Sequence, residues 1–349
     1  MTKTGKFLLM ILVVVVFAGV LAGCGGAPKA QLKVYNWGDY IDESVIEEFE
    51  EKYNIDVIYD TFATNEEMYV KIKGGGSDYD IAFPSDYMIE RMIKEDMLEK
   101  INFDNIPNYK YIDDRFKNLA YDPNNEYSVP YMWGTVGIIY NKTMVDEPVD
   151  SWQILWDEKY AKQIFMLDSS RDSIGITLKM LGYSLNTRNM DELEQAKQKL
   201  IEQKPLVLSY MGDDIKDAMI GGQAALAVVW SGDAVFMKRE NPDLEYAIPK
   251  EGSNLWFDAM VLLKGSKNKE AAEKFINFLC EPEIAFRNTD YIGYSTPHTE
   301  AMKMLDDEIL NDSTAYPTDE ELERCEVFEA LSDVIKEYDR VWTEIKAAN

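Results

Sequence analysis

Two patterns of apolar and polar positions alternate along the chain and predict strands and helices in turn. Residues 32–37 and 55–60 are short apolar runs typical of strands. Between them Val45, Ile46 and Phe49 recur at helical spacing, which predicts a helix from about 43 to 53. A strand followed by a helix and another strand predicts a parallel sheet with helices on its faces. We therefore expect an α/β fold, in which ligands bind at the carboxyl ends of the strands.

The same alternation continues towards the C-terminus. Further strands are predicted at 79–83, 136–140, 164–167, 206–209, 225–230 and 256–264. Further helices are predicted at 64–73, 87–95, 171–181, 191–203, 215–220, 268–279 and 321–346. Thr64 and Glu67 match a capping box at the start of the first of these helices. An irregular stretch at 102–125 separates two alternating halves, so we expect two domains in a chain of this length.

The run 256–264 is apolar except for one carboxylate, Asp258. A buried aspartate loses several kcal/mol of hydration, so it must be paired, protonated or able to receive a partner. Trp256 and Phe257 precede it, and an aromatic ring beside a desolvated carboxylate suits an organic ammonium group. A lysine or arginine of the protein's own core is the alternative partner.

An aromatic residue next to a carboxylate recurs at the predicted strand ends. The members are Trp37, Asp39 and Tyr40, then Asp86 and Tyr87, Trp230 and Asp233, and Trp256 and Asp258. Each has a simpler explanation as a turn or a helix cap, as do Ser85 and Asp172. Together they favour a cation-selective cleft, because they fall where an α/β sheet binds ligands.

The composition excludes several classes of function. With 63 acidic against 36 basic residues the net charge is −27, which disfavours nucleic acids and other anions as partners. His298 is the single histidine, so neither a Ser-His-Asp triad nor a zinc-binding HExxH motif is expected. The glycines at 74–76 lack the ending of a phosphate-binding loop. We expect no cofactor or metal and no enzyme, although a glycoside hydrolase with paired carboxylates stays open.

The N-terminus is typical of an exported lipoprotein. Lys3 and Lys6 precede an apolar run at 7–21, which is shorter than the roughly 20 residues of a membrane-spanning helix. Residues 21–24 match the bacterial lipobox, so we expect a signal peptide at 1–23, a lipid-modified Cys24 and a linker at 24–31. An uncleaved anchor helix is the alternative. Cys280 and Cys325 remain, as a disulfide or as two free thiols.

Five separated motifs resemble the spermidine- and putrescine-binding proteins of bacterial ABC importers. They lie at 36–41, 84–87, 130–134, 256–258 and 292–297. The resemblance implies a two-lobed type II periplasmic-binding fold, with a hinge and a polyamine in the cleft between the lobes. It also implies a set of binding residues: Trp37, Asp39, Tyr40, Ser85, Tyr87, Asp172, Trp230, Asp233, Trp256, Asp258 and Tyr294. Of these, Asp258 would hold one ammonium group.

The resemblance also bears on the choice of polyamine. Relatives usually carry serine or threonine where this chain has Gly38. Spermidine-preferring relatives tend to have an acidic residue where this chain has Ser169. Asp39 and Asp233 match acids of putrescine-preferring relatives, so putrescine is favoured and spermidine stays open. Another cationic ligand, such as thiamine or ferric iron, and a purely structural lipoprotein are the remaining alternatives. An iron site would call for adjacent tyrosines, which are missing from the strand ends.

The expected organisation follows from the same resemblance. Lobe 1 comprises 32–134 and the returning segment 256–303, and lobe 2 comprises 135–255 and C-terminal helices in 304–349. The expected partners are a polyamine, an ABC permease and, through the lipid, the outer face of the cytoplasmic membrane. We expect a monomer and no nucleic acid.

Overall fold

The computed structural model describes residues 29–75 and 78–348 of the 349-residue chain. The predicted signal peptide and Cys24 lie outside these residues. Among the described helices, none combines the length and the hydrophobicity that a bilayer crossing requires.

Strands and helices alternate through the first part of the chain. The strands are β1 (Ala30–Trp37), β2 (Ile55–Phe62), β3 (Ile81–Ala82), β4 (Leu98–Glu99) and β5 (Ser128–Asn141). The helices are α1 (Glu43–Tyr53), α2 (Asn65–Lys73) and α3 (Asp86–Lys94). Short 3₁₀ turns occupy Phe103–Asn105, Pro107–Tyr111 and Asp114–Phe116, within the stretch predicted to be irregular.

The second part continues the alternation and ends in helices. Its strands are β6 (Ile164–Leu167), β7 (Val207–Met211), β8 (Leu226–Trp230), β9 (Leu244–Ala247) and β10 (Leu255–Leu263). Its longer helices are α4 (Ser170–Met180), α5 (Met190–Gln203), α6 (Ile215–Ile220), α7 (Ser231–Glu240), α8 (Lys269–Leu279) and α9 (Pro282–Ile292). The last helices are α10 (Thr299–Met302), α11 (Asp307–Leu310), α12 (Asp319–Glu323) and α13 (Ile335–Ala347).

The ten strands of the described residues belong to one curled sheet with the order β2-β1-β3-β10-β5-β8-β6-β7. Strands β4 and β9 pair at its sides, with β10 and β5 respectively. Its two ends are parallel, β1 with β2 and β3, and β6 with β7 and β8. Its middle is antiparallel, because β10 runs against β3 and β5, and β5 against β8. The α/β class is confirmed, although the sheet is mixed rather than purely parallel.

The strand β5 joins the two halves of the molecule. Its first residues, from Ser128 to Thr135, pair with β10, and its last residues pair with β8 and β9. We call the half with β1, β2, β3, β4 and β10 lobe 1, and the half with β6, β7, β8 and β9 lobe 2. Because the chain enters lobe 2 through β5 and returns through β10, the carboxyl ends of strands from both lobes face a shared cleft.

The predicted capping box of α2 forms only in part. The Thr64 hydroxyl accepts a hydrogen bond from the Glu67 backbone N–H at 3.1 Å. The Glu67 carboxylate accepts from the backbone N–H of Ala63 at 3.2 Å, one residue before the cap. The helix start is as predicted, and the reciprocal bond goes to a neighbouring donor.

The prediction of a single helix at 321–346 is wrong. Helices α12 and α13 are separated by residues 324–334, which run in irregular backbone beside the start of β10. Glu326 donates its N–H to Ser253 and accepts from Leu255, at 2.8 and 2.9 Å. These backbone bonds hold the segment away from helical geometry, and α13 packs beyond it on α4 and α5. Cys280 is buried, Cys325 is partly buried, and both are free thiols.

Candidate ligand-binding cleft

A cleft of about 560 Å³ lies between the lobes and is lined by residues of both. All eleven side chains that the sequence analysis selected line it: Trp37, Asp39, Tyr40, Ser85, Tyr87, Asp172, Trp230, Asp233, Trp256, Asp258 and Tyr294. The structure therefore brings together residues that are up to 257 positions apart in the sequence, from Trp37 to Tyr294. Their roles in binding stay a prediction.

The strand β10 presents Trp256 and Asp258 to the cleft from lobe 1. The two residues are two positions apart and so lie on the same face of the strand. The register with β5 shifts between Asp258 and Ala259, an irregularity of the kind that re-aims side chains. On its other side, the backbone of Asp258 forms a bridge with Ser85 in the loop after β3. The backbone that carries this carboxylate is therefore held by β5 on one side and by the loop after β3 on the other.

Asp258 is a buried carboxylate that the protein only partly satisfies. It is 5% exposed, and its Oδ2 accepts a hydrogen bond from the Tyr40 hydroxyl at 2.7 Å. Its Oδ1 is buried without a hydrogen-bond partner, and no lysine or arginine in the described residues forms a salt bridge with it. Burial raises the pKa of Asp258 to about 7, to which the nearby charge of Asp172 adds. The site thus holds an acceptor ready for a cationic donor.

A second buried aspartate, Asp86, positions this strand through backbone hydrogen bonds. Its Oδ2 accepts from the backbone N–H of Phe257 at 2.9 Å, and its Oδ1 from that of Tyr87 at 2.6 Å. It is completely buried at the start of α3, and burial raises its pKa well above the ordinary value. Because Phe257 lies between Trp256 and Asp258, this bond fixes the part of β10 that lines the cleft.

Three aromatic rings form a continuous wall beside Asp258. The rings of Trp256 and Tyr294 meet edge to face with centroids 5.1 Å apart, and those of Tyr294 and Tyr40 do so at 5.5 Å. A side chain on Gly232 would destroy this wall, because its Cβ would lie 1.8 Å from Cδ1 of Tyr294. Buried Nε1 of Trp256 has no partner within the described part of the chain. The wall offers π-faces to an alkyl ammonium.

Asp172 adds a second acid close to Asp258, from lobe 2. It lies in the first turn of α4, is 7% exposed, and burial raises its pKa to about 6. Ser169 caps this helix by accepting from the Asp172 backbone N–H at 3.3 Å. On the lobe 1 side, the Tyr87 hydroxyl donates to Glu66 at 2.9 Å, which adds a further acid to the lining.

Arg171 is a buried cation in this part of the cleft that sequence analysis did not assign. Its guanidinium donates to the Glu329 carbonyl at 3.0 Å and to Asn186 at 3.2 Å, so it is held by neutral acceptors. It also stacks on Phe328, with its Cζ 4.3 Å from the ring centroid. Its neighbour in sequence, Asp172, is the carboxylate that faces the cleft, whereas Arg171 braces the segment after α12.

A separate acidic group surrounds Asp233 at the start of α7. Asp233 is 7% exposed, its Oδ2 has no partner among the described residues, and burial raises its pKa to about 6. The Lys216 ammonium lies 4.0 Å from its Oδ1 and donates to Asp39 Oδ2 at 3.1 Å. We expected Asp39 to be one of the binding residues; in the structure it pairs with Lys216, and 67% of its side chain is exposed.

The remaining predicted side chains complete the two walls. Trp37 lies at the end of β1 and donates its Nε1–H to the Phe83 carbonyl at 2.8 Å, which fixes the plane of the ring. Trp230 ends β8 and immediately precedes α7, so it lies on the lobe 2 side of the cleft. The Ser85 hydroxyl accepts from Asn65 Nδ2 at 3.0 Å. Gly38 leaves room for Asp213, because a Cβ there would lie 3.0 Å from Asp213 Oδ2.

This arrangement can bind an organic cation. It has two acidic groups, one at Asp258 and one at Asp233; Tyr294 lies close to both acids, and the Trp256 ring packs against Tyr294. In residues 29–75 and 78–348 no cluster of three or more histidine, cysteine or acidic side chains is arranged to hold a metal ion. Solute-binding proteins hold their ligands in such a cleft between two α/β lobes, which can close around the ligand.

Comparison with known proteins gives the family. Residues 44–318 match the family described as bacterial extracellular solute-binding protein. The chain belongs to this family, and it is an extracellular solute-binding protein rather than an enzyme.

The relatives and solved structures agree with the family. The spermidine/putrescine-binding periplasmic protein of Escherichia coli is 35% identical over 318 residues, which cover 90% of this chain and 91% of the relative. A structure from Listeria monocytogenes, provisionally named as a spermidine/putrescine ABC transporter, is 46% identical with a TM-score of 0.89 and covers 91% of this chain and 99% of its own. The spermidine/putrescine ABC transporter substrate-binding protein PotD from Streptococcus pneumoniae is 42% identical with a TM-score of 0.78, covering 91% and 98%.

Proposed function

We propose that this protein binds a polyamine in the interlobe cleft, with putrescine favoured over spermidine, and delivers it to an ABC permease. One observation carries the proposal: Asp258 is buried beside aromatic rings, has an unpartnered oxygen, and is not matched by a cation of the described residues. The similarity to spermidine/putrescine-binding periplasmic proteins supports it. Catalysis by paired carboxylates does not fit a solute-binding family.

The physical fit is to a flexible dication. Putrescine carries an ammonium group at each end of a four-carbon stem, so it needs an acid at each end and an apolar path between. Asp258 and Asp233 supply the acids, and Tyr294 lies against both lobes between them. Each ring contributes roughly 0.5–2 kcal/mol of cation–π attraction, and a micromolar affinity corresponds to about −8 kcal/mol. A few such contacts suffice after the cost of ordering the ligand.

The proposal includes a site of action at the membrane surface. Cleavage before Cys24 and lipidation of that cysteine would anchor the protein to the outer face of the cytoplasmic membrane, through a linker at 24–31. The lobes as predicted, 32–134 with 256–303 and 135–255 with 304–349, would close over the ligand, and the closed monomer would meet the permease. Mass spectrometry of the protein from membranes, compared with Cys24→Ser, tests the anchor. A lipid adduct on residue 24 is expected, and an unmodified chain would contradict it.

The ligand is tested by calorimetry and thermal unfolding with putrescine, spermidine, spermine, cadaverine, arginine and thiamine. At a hundred times the dissociation constant, a ligand that binds only the folded state stabilises it by about 2.7 kcal/mol, which raises the Tm by several degrees. We expect this shift with putrescine. A shift with thiamine alone would assign another cationic ligand, and the absence of any shift would favour a purely structural lipoprotein.

A further inference from the structure

Lys216 is a built-in cation at one end of the cleft. It lies on α6 in lobe 2, its side chain is 17% exposed, and it lines the same cleft as Asp233. Its ammonium donates to Asp39 Oδ2 at 3.1 Å, across the cleft on lobe 1. It also lies 4.0 Å from Asp233 Oδ1 on its own lobe. A protein ammonium group therefore already lies where the end of a polyamine chain would be attracted.

The charge of Lys216 persists in this environment. Burial lowers the pKa of its ammonium, but the charges of Asp233, Asp39 and Asp213 outweigh burial, so the pKa lies above its ordinary value. The acids keep the amine protonated, and the amine in turn neutralises part of their charge. Arg171, the other basic side chain in the described lining, donates instead to the Glu329 carbonyl and to Asn186. The two ends of the cleft therefore differ: Asp258 is unmatched and Asp233 is partly matched.

We propose that Lys216 is a specificity-determining residue that occupies one cation position of the cleft and so favours a diamine over a triamine. This inference rests on the proposed polyamine function and deepens it. One ammonium of a diamine goes to Asp258, and the other shares the acids around Asp233 with Lys216. A triamine brings a third charge into the same space, where it meets a fixed like charge within a few ångströms of its own partners.

Lys216 also joins the lobes through Asp39, and this second effect must be separated from the first. A bridge between lobes stabilises the closed form whichever ligand lies inside it, so its loss weakens all ligands by a similar factor. Competition for the acids around Asp233 depends on the ligand's charge, so its loss changes the ratio of two affinities. The ratio of the spermidine to the putrescine affinity therefore isolates the proposed role.

The test uses calorimetry of putrescine and spermidine with the wild type, Lys216→Met and Lys216→Arg. Lys238→Met is the matched control, because Lys238 is 21% exposed, pairs with Asp312 at 3.1 Å and lies outside the cleft lining. In Lys216→Met we expect the spermidine-to-putrescine affinity ratio to rise roughly tenfold, the size expected for removing one like charge at partly screened range. In Lys216→Arg and Lys238→Met the ratio should stay within about twofold of the wild type.

The outcomes separate this inference from the proposed function. If the wild type binds neither polyamine, the proposed function fails and the inference fails with it. If the wild type binds polyamines and Lys216→Met weakens both equally, Lys216 is a bridge between lobes and the specificity role is refuted. An unchanged ratio with unchanged affinities refutes it as well. A ratio that rises equally in Lys238→Met assigns the effect to net charge and not to the cleft.

Discussion

Replacing Asp258 by asparagine tests two effects of this buried carboxylate: it attracts a cationic ligand, and it destabilises the ligand-free fold. The change removes the charge and little volume, and the new amide can still contact the Tyr40 hydroxyl. In the ligand-free protein the pKa of Asp258 rises from the ordinary 3.8 to about 7. That difference corresponds to ~4 kcal/mol by which the folded state is destabilised at pH 8. Asp258→Asn should therefore weaken ligand binding and strengthen the ligand-free fold at the same time.

The difference in folding stability between Asp258→Asn and the wild type depends on pH. A carboxyl whose pKa is raised on folding destabilises the folded state above that pKa, and the cost falls as pH drops from 7 towards 4. Allowing for a weaker hydrogen bond with Tyr40, we expect Asp258→Asn to be about 1–3 kcal/mol more stable than the wild type at pH 8. At pH 4, where the folded wild type is also neutral at this position, the advantage should nearly vanish.

Urea unfolding at the two pH values and calorimetry with putrescine measure both effects. Binding should become at least about a hundredfold weaker, because a buried charge pair is replaced by a neutral contact. Asp312→Asn is the control, since Asp312 pairs with Lys238 outside the cleft and its pKa is lowered. Loss of this charge should destabilise the folded protein and leave putrescine binding intact. Unchanged putrescine affinity in Asp258→Asn, or lower stability at pH 8, would refute the reasoning.

Three further predictions concern the same cleft. Putrescine affinity should fall about 30-fold between pH 8 and pH 5.5 from protonation of Asp258 alone, since amines with pKa values near 10 stay charged, and a flat calorimetric profile would contradict this. Gly232→Ala should displace the Tyr294 ring and lower affinity at least about tenfold with helix α7 intact. Gly212→Ala adds the same methyl group to the cleft lining without meeting a protein atom within 4 Å, so it should leave the Tyr294 ring in place and weaken binding much less. Ser169→Asp should retain the helix cap and raise spermidine affinity relative to putrescine several-fold, and an unaltered ratio would count against the proposed role of position 169.

Local periodicity predicted the fold well where an element depends on its own sequence. Helix α1 begins at Glu43 and ends at Tyr53 as predicted, and β6 and α6 also match their predicted bounds. The strand β5 was predicted only at 136–140, although it begins at Ser128. Pro130 argues against a central strand in sequence, and here it lies at the irregularity where β5 and β10 change register.

Tertiary contacts account for the elements that the sequence analysis missed. The segment 324–334 has helical composition, but its backbone bonds to Ser253 and Leu255 hold it in irregular backbone. Helix α9 was not predicted, although its signals are present: a proline at its start and a left-handed glycine, Gly293, after its end. Helix α7 was also not predicted. It follows β8 without an intervening residue, so no turn signal separates the apolar pattern of the strand from that of the helix.

The candidate site shows the same division between local and distant information. Aromatic and acidic neighbours at strand ends indicated part of the cleft, and the family resemblance completed the set of eleven side chains that line it. Lys216 carried no such signal, since it lies within a short helix and its partner Asp39 is 177 positions away. Nothing in the sequence indicated the positioning role of Asp86 either. Its carboxylate accepts hydrogen bonds from the backbone N–H groups of Phe257 and Tyr87, and any residue type except proline could supply such donors.

The two ends of the cleft satisfy their acids in different ways, and this asymmetry gives the ligand a direction. At Asp258 the protein supplies a hydroxyl and aromatic faces but no cation, so a ligand ammonium gains the full attraction of a carboxylate with an unpartnered oxygen. At Asp233 a polyamine bound as proposed would share the acidic side chains with Lys216, which would lower the gain at that end. The first ammonium of a diamine should therefore be held near β10. The second, near α7, is where ligands of different length and charge are distinguished.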